Sequence, residues 1–431
     1  MHPQLPNPPE LEIIEEQLDN GLRVVLHPDS TLPLVAINLW YHVGSMSEVP
    51  GRTGLAHLFE HMLFQGSEHV GTNDHFRLVQ QVGGNANGST WYDRTNYYET
   101  LPAGCLDLGL WLEADRMGYL LPALDQKKLD TQRQVVINER RQRTDNQPYG
   151  RALEKLHQLL YPEVHPHHWP VIGWPRDLEA TELEDVKEFF RRHYGPNNAV
   201  LTVAGDIEPR SALAAIDKYF GAIPSIELAP TIDHPLPALG RTRSETMMDR
   251  VALPRLYLAY RWPGYGERSW SAGNLLATIL SGGRSSPMYR DLVHQRQLAQ
   301  EVSCLLYPTV ETAPFLVIAT ARPGVDPEAL LAEIDTHIER AISAEISRED
   351  FDRGRNQLAC SIFDELQSLD ERADELSRAA TLLGSPERFS WEIETYEALD
   401  AEEVRRIAAQ YLSSESRVRL TVVPQDSKGR A

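Results

Sequence analysis

Cysteine is scarce in this chain and basic residues are outnumbered, and each shortage excludes a class of protein. Cys105, Cys304 and Cys360 are too few and too widely spaced for a disulfide framework or a cysteine metal knuckle. They read as apolar filling for a core in a reducing compartment. With 42 Lys and Arg against 62 Asp and Glu, a net charge of −20, the chain lacks the positive footprint that a phosphate backbone requires. Nucleic acid is therefore set aside as a partner. No stretch reaches the roughly 18 apolar residues of a membrane helix. The segment from Met1 to Glu16 has prolines and acids where a signal peptide would have a basic end and an apolar run. A cytoplasmic protein without membrane insertion is the expectation.

At 431 residues the chain exceeds one ordinary core, and two domains of about 200 residues are expected. Gly21 to Leu26 and Pro33 to His42 read as strands, rich in β-branched and aromatic residues. Gly54 to Phe64 has helical apolar spacing between glycines. A short helix near Asp74 to Val82 follows, then a glycine turn and two strands between Asn85 and Thr100. Helical patterns cover Leu106 to Leu120, Asp125 to Arg143 and Leu183 to His193, and Ala199 to Ala204 closes the first half as a strand. The order then begins again. Leu32-Pro33, the glycine-terminated helix and the strand LTV at Leu201 each have a counterpart about 220 residues downstream, as two diverged copies of one domain would. Pro224 to Gly240 is proline-rich and aperiodic, like a linker. The expected fold is α+β, with two homologous domains at 1–223 and 241–431, joined by 224–240. Each is an antiparallel or mixed sheet packed with helices.

The sharpest local feature is His57-Leu58-Phe59-Glu60-His61. On a helix, positions i, i+3 and i+4 share one stripe, so His57 and His61 can aim two imidazoles at one ion with Glu60 beside them. This inverts the commoner HExxH order. Two imidazoles suit zinc, and a catalytic site needs a third protein ligand with a position left for water, which a neighbouring carboxylate can deprotonate. Among 15 histidines the pattern can also arise by accident. Against that, two histidines and a glutamate among Leu55, Leu58, Phe59, Met62 and Leu63 need something to satisfy them.

Taken together, GLAHLFEHMLFQGSE at Gly54 to Glu68, GGNANGSTWYDRTNYYETLP at Gly83 to Pro102, VVINERRQRTDNQPYG at Val135 to Gly150 and GGRSSPMYRDLV at Gly282 to Val293 resemble the M16, or pitrilysin-like, metallopeptidases. That family includes the mitochondrial processing peptidase and the insulin-degrading enzyme, and the resemblance spans nearly the whole chain. It implies one Zn2+ per chain held by His57, His61 and Glu139, with Glu60 as catalytic base. Without the family, Glu139 beside Arg140 and Arg141 would read as a solvated face or an ion pair. The resemblance also implies half of a clamshell with the fold of the mitochondrial processing peptidase, and a substrate-binding edge strand made of Asn85, Ala86, Asn87, Gly88, Ser89 and Thr90. On their own those six residues could equally be an ordinary hairpin. Many members keep a supporting glutamate where this chain has Gln132.

Self-sufficient members carry an arginine and a tyrosine in the second half that reach across the clamshell to the developing oxyanion. Here those positions are Val293 and Gln300. The chain is therefore expected to act on peptides as the zinc-bearing subunit of a heterodimer whose homologous partner supplies the pair. The alternative is that Arg296 and Tyr289 substitute. A non-catalytic structural subunit of the same fold, or a plain binding module, remains as another class. His165-Pro166-His167-His168-Trp169 looks like a metal cluster but is expected to be an extended structural loop. His69 and His75 are expected at the surface, and Asp93, Arg94 and Tyr97 as a strand-face ion network.

Overall fold

In the first sheet, β1 (Ile14–Gln17), β2 (Arg23–Pro28), β3 (Leu34–Tyr41), β4 (Asn85–Thr90), β5 (Thr95–Pro102) and β6 (Ala199–Gly205) run in the order β1-β2-β6-β3-β5-β4. In the second, β7 (Arg243–Asp249), β8 (Arg255–Pro263), β9 (Ala299–Leu306), β10 (Thr312–Ala321) and β11 (Val418–Pro424) run β7-β11-β8-β10-β9. The computed structural model describes residues 5–230 and 234–425. Positions 1–4, 231–233 and 426–431, which belong to the expected first domain, linker and second domain, lie outside the described residues.

With β1 set aside, the two sheets share one connectivity. The first strand of each runs parallel to the last, β2 to β6 and β7 to β11. All other neighbours are antiparallel. The repeat expected from short apolar words is thus a repeat of topology. Strand β1 and the helices Ala152–Leu160 and Pro209–Phe220 add to the elements expected from sequence pattern.

All seven residues of β6 are buried, which explains why it reads as a continuous apolar run rather than an alternation. Leu201 and Val203 face the helices of the first half. Val200 and Ala204 face the other way, onto Leu376, Ala380 and Ala373 of the helix Leu369–Leu382, which comes from the second half. In return, the helix Ala152–Leu160 sets Ala152, Leu156 and Leu160 against Tyr257, Ala259, Val418 and Leu420 of the second sheet. Each half therefore lends a helix to cover the other's sheet.

Hydrogen bonds lock this exchange. Asp374 Oδ1 accepts from Asn38 Nδ2 at 2.9 Å, Trp40 Nε1 at 2.8 Å and Asn96 Nδ2 at 2.9 Å. Ser377 Oγ donates to Thr202 Oγ1 at 2.7 Å. The described part of 224–240 holds no helix or strand, and Asn197 pins it by bonding both the N–H and the C=O of Ile226. Cys105 and Cys304 are half-buried, whereas Cys360 is exposed, so the expectation of a buried filler fails for it. Its position on the helix Arg348–Glu365 falls on the solvent side. No helix of the described residues is long and apolar enough to cross a membrane.

Asp374→Ala would strand three donors on side chains that are buried on the sheet face, and should lower the unfolding free energy by about 3 kcal/mol. Chemical denaturation followed by tryptophan fluorescence measures this; a midpoint equal to wild type would contradict the account of the seam.

Candidate metal centre

The helix Leu55–Met62 carries the HxxEH residues, and its start is built without a conventional cap. Gly54 takes φ +86°, and a Cβ there would lie 2.7 Å from the Ile172 carbonyl oxygen, so only glycine fits. The buried carboxyl group of Glu48 accepts from the N–H groups of Gly54 at 2.8 Å and Ala56 at 2.9 Å, supplying acceptors to the free first turn. Burial pushes the Glu48 carboxyl up to about 8, against the opposing pull of those two amides. Leu55, Ala56, Leu58, Phe59 and Met62 are buried. Phe59 stacks 5.5 Å from Phe190 and lies 4.6 Å from Tyr194, which orients the opposite stripe outward.

On that stripe the structure brings His57 and His61 together with Glu139, their ligand atoms all within 4.8 Å of one another. Glu139 Oε2 lies 3.2 Å from His61 Nε2 and 3.8 Å from His57 Nε2. Tetrahedral zinc with N and O bonds of about 2.0–2.2 Å separates its ligand atoms by roughly 3.4 Å. The donor set therefore fits that ion in kind and in spacing. Burial, then the neighbouring His61, pushes His57 down to about 4. The His61 hydrogen bond holds the Glu139 carboxyl below its usual range. A neutral imidazole and an ionised carboxylate are the forms a cation needs. Side-chain exposures of 12% for His57, 23% for His61 and 16% for Glu139 leave the site sheltered but reachable by water.

Glu60 points beside the trio, its carboxyl raised above the ordinary range chiefly by burial. Thr90 Oγ1 of β4 donates to Glu60 Oε2 at 2.5 Å. A Cβ on Gly88 would lie 3.2 Å from Glu60 Cγ, so glycine lets the strand approach the helix closely. Within Asn85–Thr90, then, Gly88 and Thr90 face the helix. Among the described residues the strand pairs only with β5, which leaves its outer edge with unpaired backbone groups.

Comparison with known proteins adds an independent line. Residues 23–165 match the family model described as insulinase (peptidase family M16), and residues 181–358 match the one described as the peptidase M16 inactive domain. The zinc protease PqqE of Helicobacter pylori is 31% identical over 340 residues, 78% of this chain and 76% of that protein. The chain belongs to the M16 peptidase family. A crystal structure of a protease from Helicobacter pylori has the same fold, with a TM-score of 0.90 at 27% identity over 96% of this chain and 100% of that one. The periplasmic protease PqqL from Escherichia coli, 19% identical with a TM-score of 0.78, shares the fold over 98% of this M16 chain and 48% of its own length. The word inactive attaches to residues 181–358, downstream of His57, Glu60, His61 and Glu139.

Other expectations fare differently. Arg140 pairs with Glu154 at 2.6 Å, and it is Arg143, one helical turn after Glu139 at the i,i+4 spacing, that pairs with Glu139 Oε1 at 2.6 Å. The helix is α only to Arg140 and continues as a π turn, Arg141–Asp145. Gln132 is buried. Val293 is buried and Gln300 exposed, while Arg296 gives both terminal nitrogens to Glu333. Tyr289 packs against the second core.

His75 is not at the surface. It is buried with Glu99 and Glu113, the latter bound by Arg116, because Phe64 and Phe76 close over it. Asp93, Arg94 and Tyr97 form no single network: Asp93 accepts from the Val310 N–H, Arg94 lies over Trp40, and Tyr97 lies under Arg116 on the opposite face. Arg94 lies just before β5, whereas Tyr97 lies within it. His165 to Trp169 makes a 3-10 turn at Pro166–His168 instead of an extended loop.

Glu48→Ala removes both acceptors from the start of the motif helix and should cost about 2 kcal/mol of stability. Thermal unfolding reads this, and an unshifted midpoint would show that the first turn does not depend on Glu48.

Proposed function

We propose that the chain is a zinc-dependent endopeptidase acting on oligopeptides or unfolded segments. The observation that carries this reading is the convergence of His57, His61 and Glu139 at one point, with Glu60 alongside. His57, His61 and Glu139 would hold the metal. Bound zinc polarises a carbonyl and acidifies water towards a pKa of about 7. Glu60, steadied by Thr90, takes the proton of the attacking water and returns it to the leaving amine. An extended peptide adds to the free edge of β4 along Asn85, Ala86, Asn87, Gly88, Ser89 and Thr90, paired through its backbone with little regard to side chains. Residues 1–223 act as the metal-bearing unit and 241–431 as its homologue, joined by 224–240.

The donors that steady the oxyanion are assigned to a second, homologous subunit. Val293 and Gln300 offer no cation, and Arg296 is committed to Glu333. A heterodimer follows from this. Residence in the cytoplasm is proposed on the cysteine usage alone, and cell fractionation tests it.

Two measurements separate these claims. Glu60→Gln should retain zinc by metal analysis and lose peptide turnover by about 10²–10⁴-fold, whereas His61→Ala should lose the zinc itself. Proteolysis retained in Glu60→Gln would end the mechanism, and equal zinc in His61→Ala would end the site. The purified chain alone should turn over slowly and gain activity on addition of a homologous chain bearing the Arg/Tyr pair. Full activity in isolation would rule out the heterodimer.

A further inference from the structure

Glu139 has two carboxylate oxygens, and they face different partners. Oε2 is turned to the imidazoles, at 3.2 Å from His61 and 3.8 Å from His57. Oε1 receives the Arg143 guanidinium at 2.6 Å. Arg140 and Arg141, closer in sequence, are tied to Glu154 and Asn138. Among the described residues Arg143 has no other ion-pair partner, and its side chain is 78% exposed. An ion pair so open to water adds little to folding. Bracing the fold therefore does not account for it.

The backbone contributes to this arrangement. Directly after Glu139 and Arg140 the helix widens into the π turn Arg141–Asp145, closed by the bond from the Asn146 N–H to the Arg141 carbonyl at 2.9 Å. Single π turns inside α-helices recur at functional sites. Here the turn carries Arg143, which sits over the outer oxygen of the ligand carboxylate.

A carboxylate can bind a cation through one oxygen or through both. If Glu139 used both, it would fill the position that a catalytic site with three protein ligands leaves to solvent. We propose that Arg143 is a positioning residue: by occupying Oε1 it restricts Glu139 to one-oxygen binding and keeps that position open. This rests on the reading of His57, His61 and Glu139 as the zinc ligands. The contact is an ion pair whose closest approach is Arg143 Nη1 to Glu139 Oε1 at 2.6 Å, and the point charge of a lysine ammonium can occupy the same oxygen, so Arg143→Lys should serve.

The test is to load the full chain with cobalt(II) in place of zinc and record its visible absorption, which is intense in four-coordinate sites and weaker as coordination number rises. Wild type and Arg143→Lys should give the intense spectrum, and Arg143→Ala should lose intensity. In parallel, kcat of Arg143→Ala should fall about 10-fold with KM little changed. An Arg143→Ala spectrum and kcat matching wild type would overturn the inference, and so would Arg143→Lys behaving like Arg143→Ala. If wild type takes up no cobalt, or His61→Ala takes it up equally, the metal-site reading falls first and this inference with it. The His61→Ala control thus separates the two failures.

Discussion

One helical turn can bring two imidazoles to a common point, but it cannot supply the third donor. That donor must come from another helix, held at a distance set by packing. Here the motif helix is anchored at its start by the Glu48 carboxyl group and Gly54, and along its buried side by Phe59 among Phe190 and Tyr194. The helix Gln126–Arg140 sinks Val136 and Ile137 into the same core, and Glu139 lies two positions beyond Ile137. The 3.2 Å and 3.8 Å separations at the site are a consequence of that shared core. Close-packed interiors tolerate little slack, so shifts in the core would be felt at the ligands.

The same dependence holds at larger scale. Each sheet has one face covered by a helix from the other half, Leu369–Leu382 over the first and Ala152–Leu160 over the second. Asp374 gathers three donors from the first sheet and makes the contact specific as well as apolar. These donors sit on β3 and β5, and among the described residues β5 is the only partner of β4. The second half, which carries no HxxEH, thereby holds up the strand that approaches Glu60. Its contribution to the proposed chemistry is architectural.

Much of the fold was legible because it depends on local rules. The alternations and apolar runs of β2, β3, β6, β8 and β11 follow from side-chain periodicity, and the repeat follows from comparing such words along the chain. What escaped depends on contacts distant in sequence. His75 lies on the short, mostly polar helix Asp74–Gln81 and reads as exposed, yet Phe64 and Phe76 enclose it with Glu99 and Glu113. Arg94 and Tyr97 are close in sequence, but Arg94, just before β5, lies over Trp40, while Tyr97, within it, lies under Arg116. The helix Ala152–Leu160 has an apolar side whose purpose is visible only once the second sheet lies against it.

By itself the sequence determined that His57, Glu60 and His61 share one face of a helix, since 3.6-residue periodicity is a property of the backbone. It also determined that the chain repeats one α+β plan. Only the tertiary structure decided that Glu139, and not a neighbouring charge, meets the two imidazoles, and that Thr90, 30 residues from Glu60, bonds the carboxylate beside them. The reason is physical: local spacing orients a side chain about its own axis, while the distance between two axes is set by the side chains that fill the space between them.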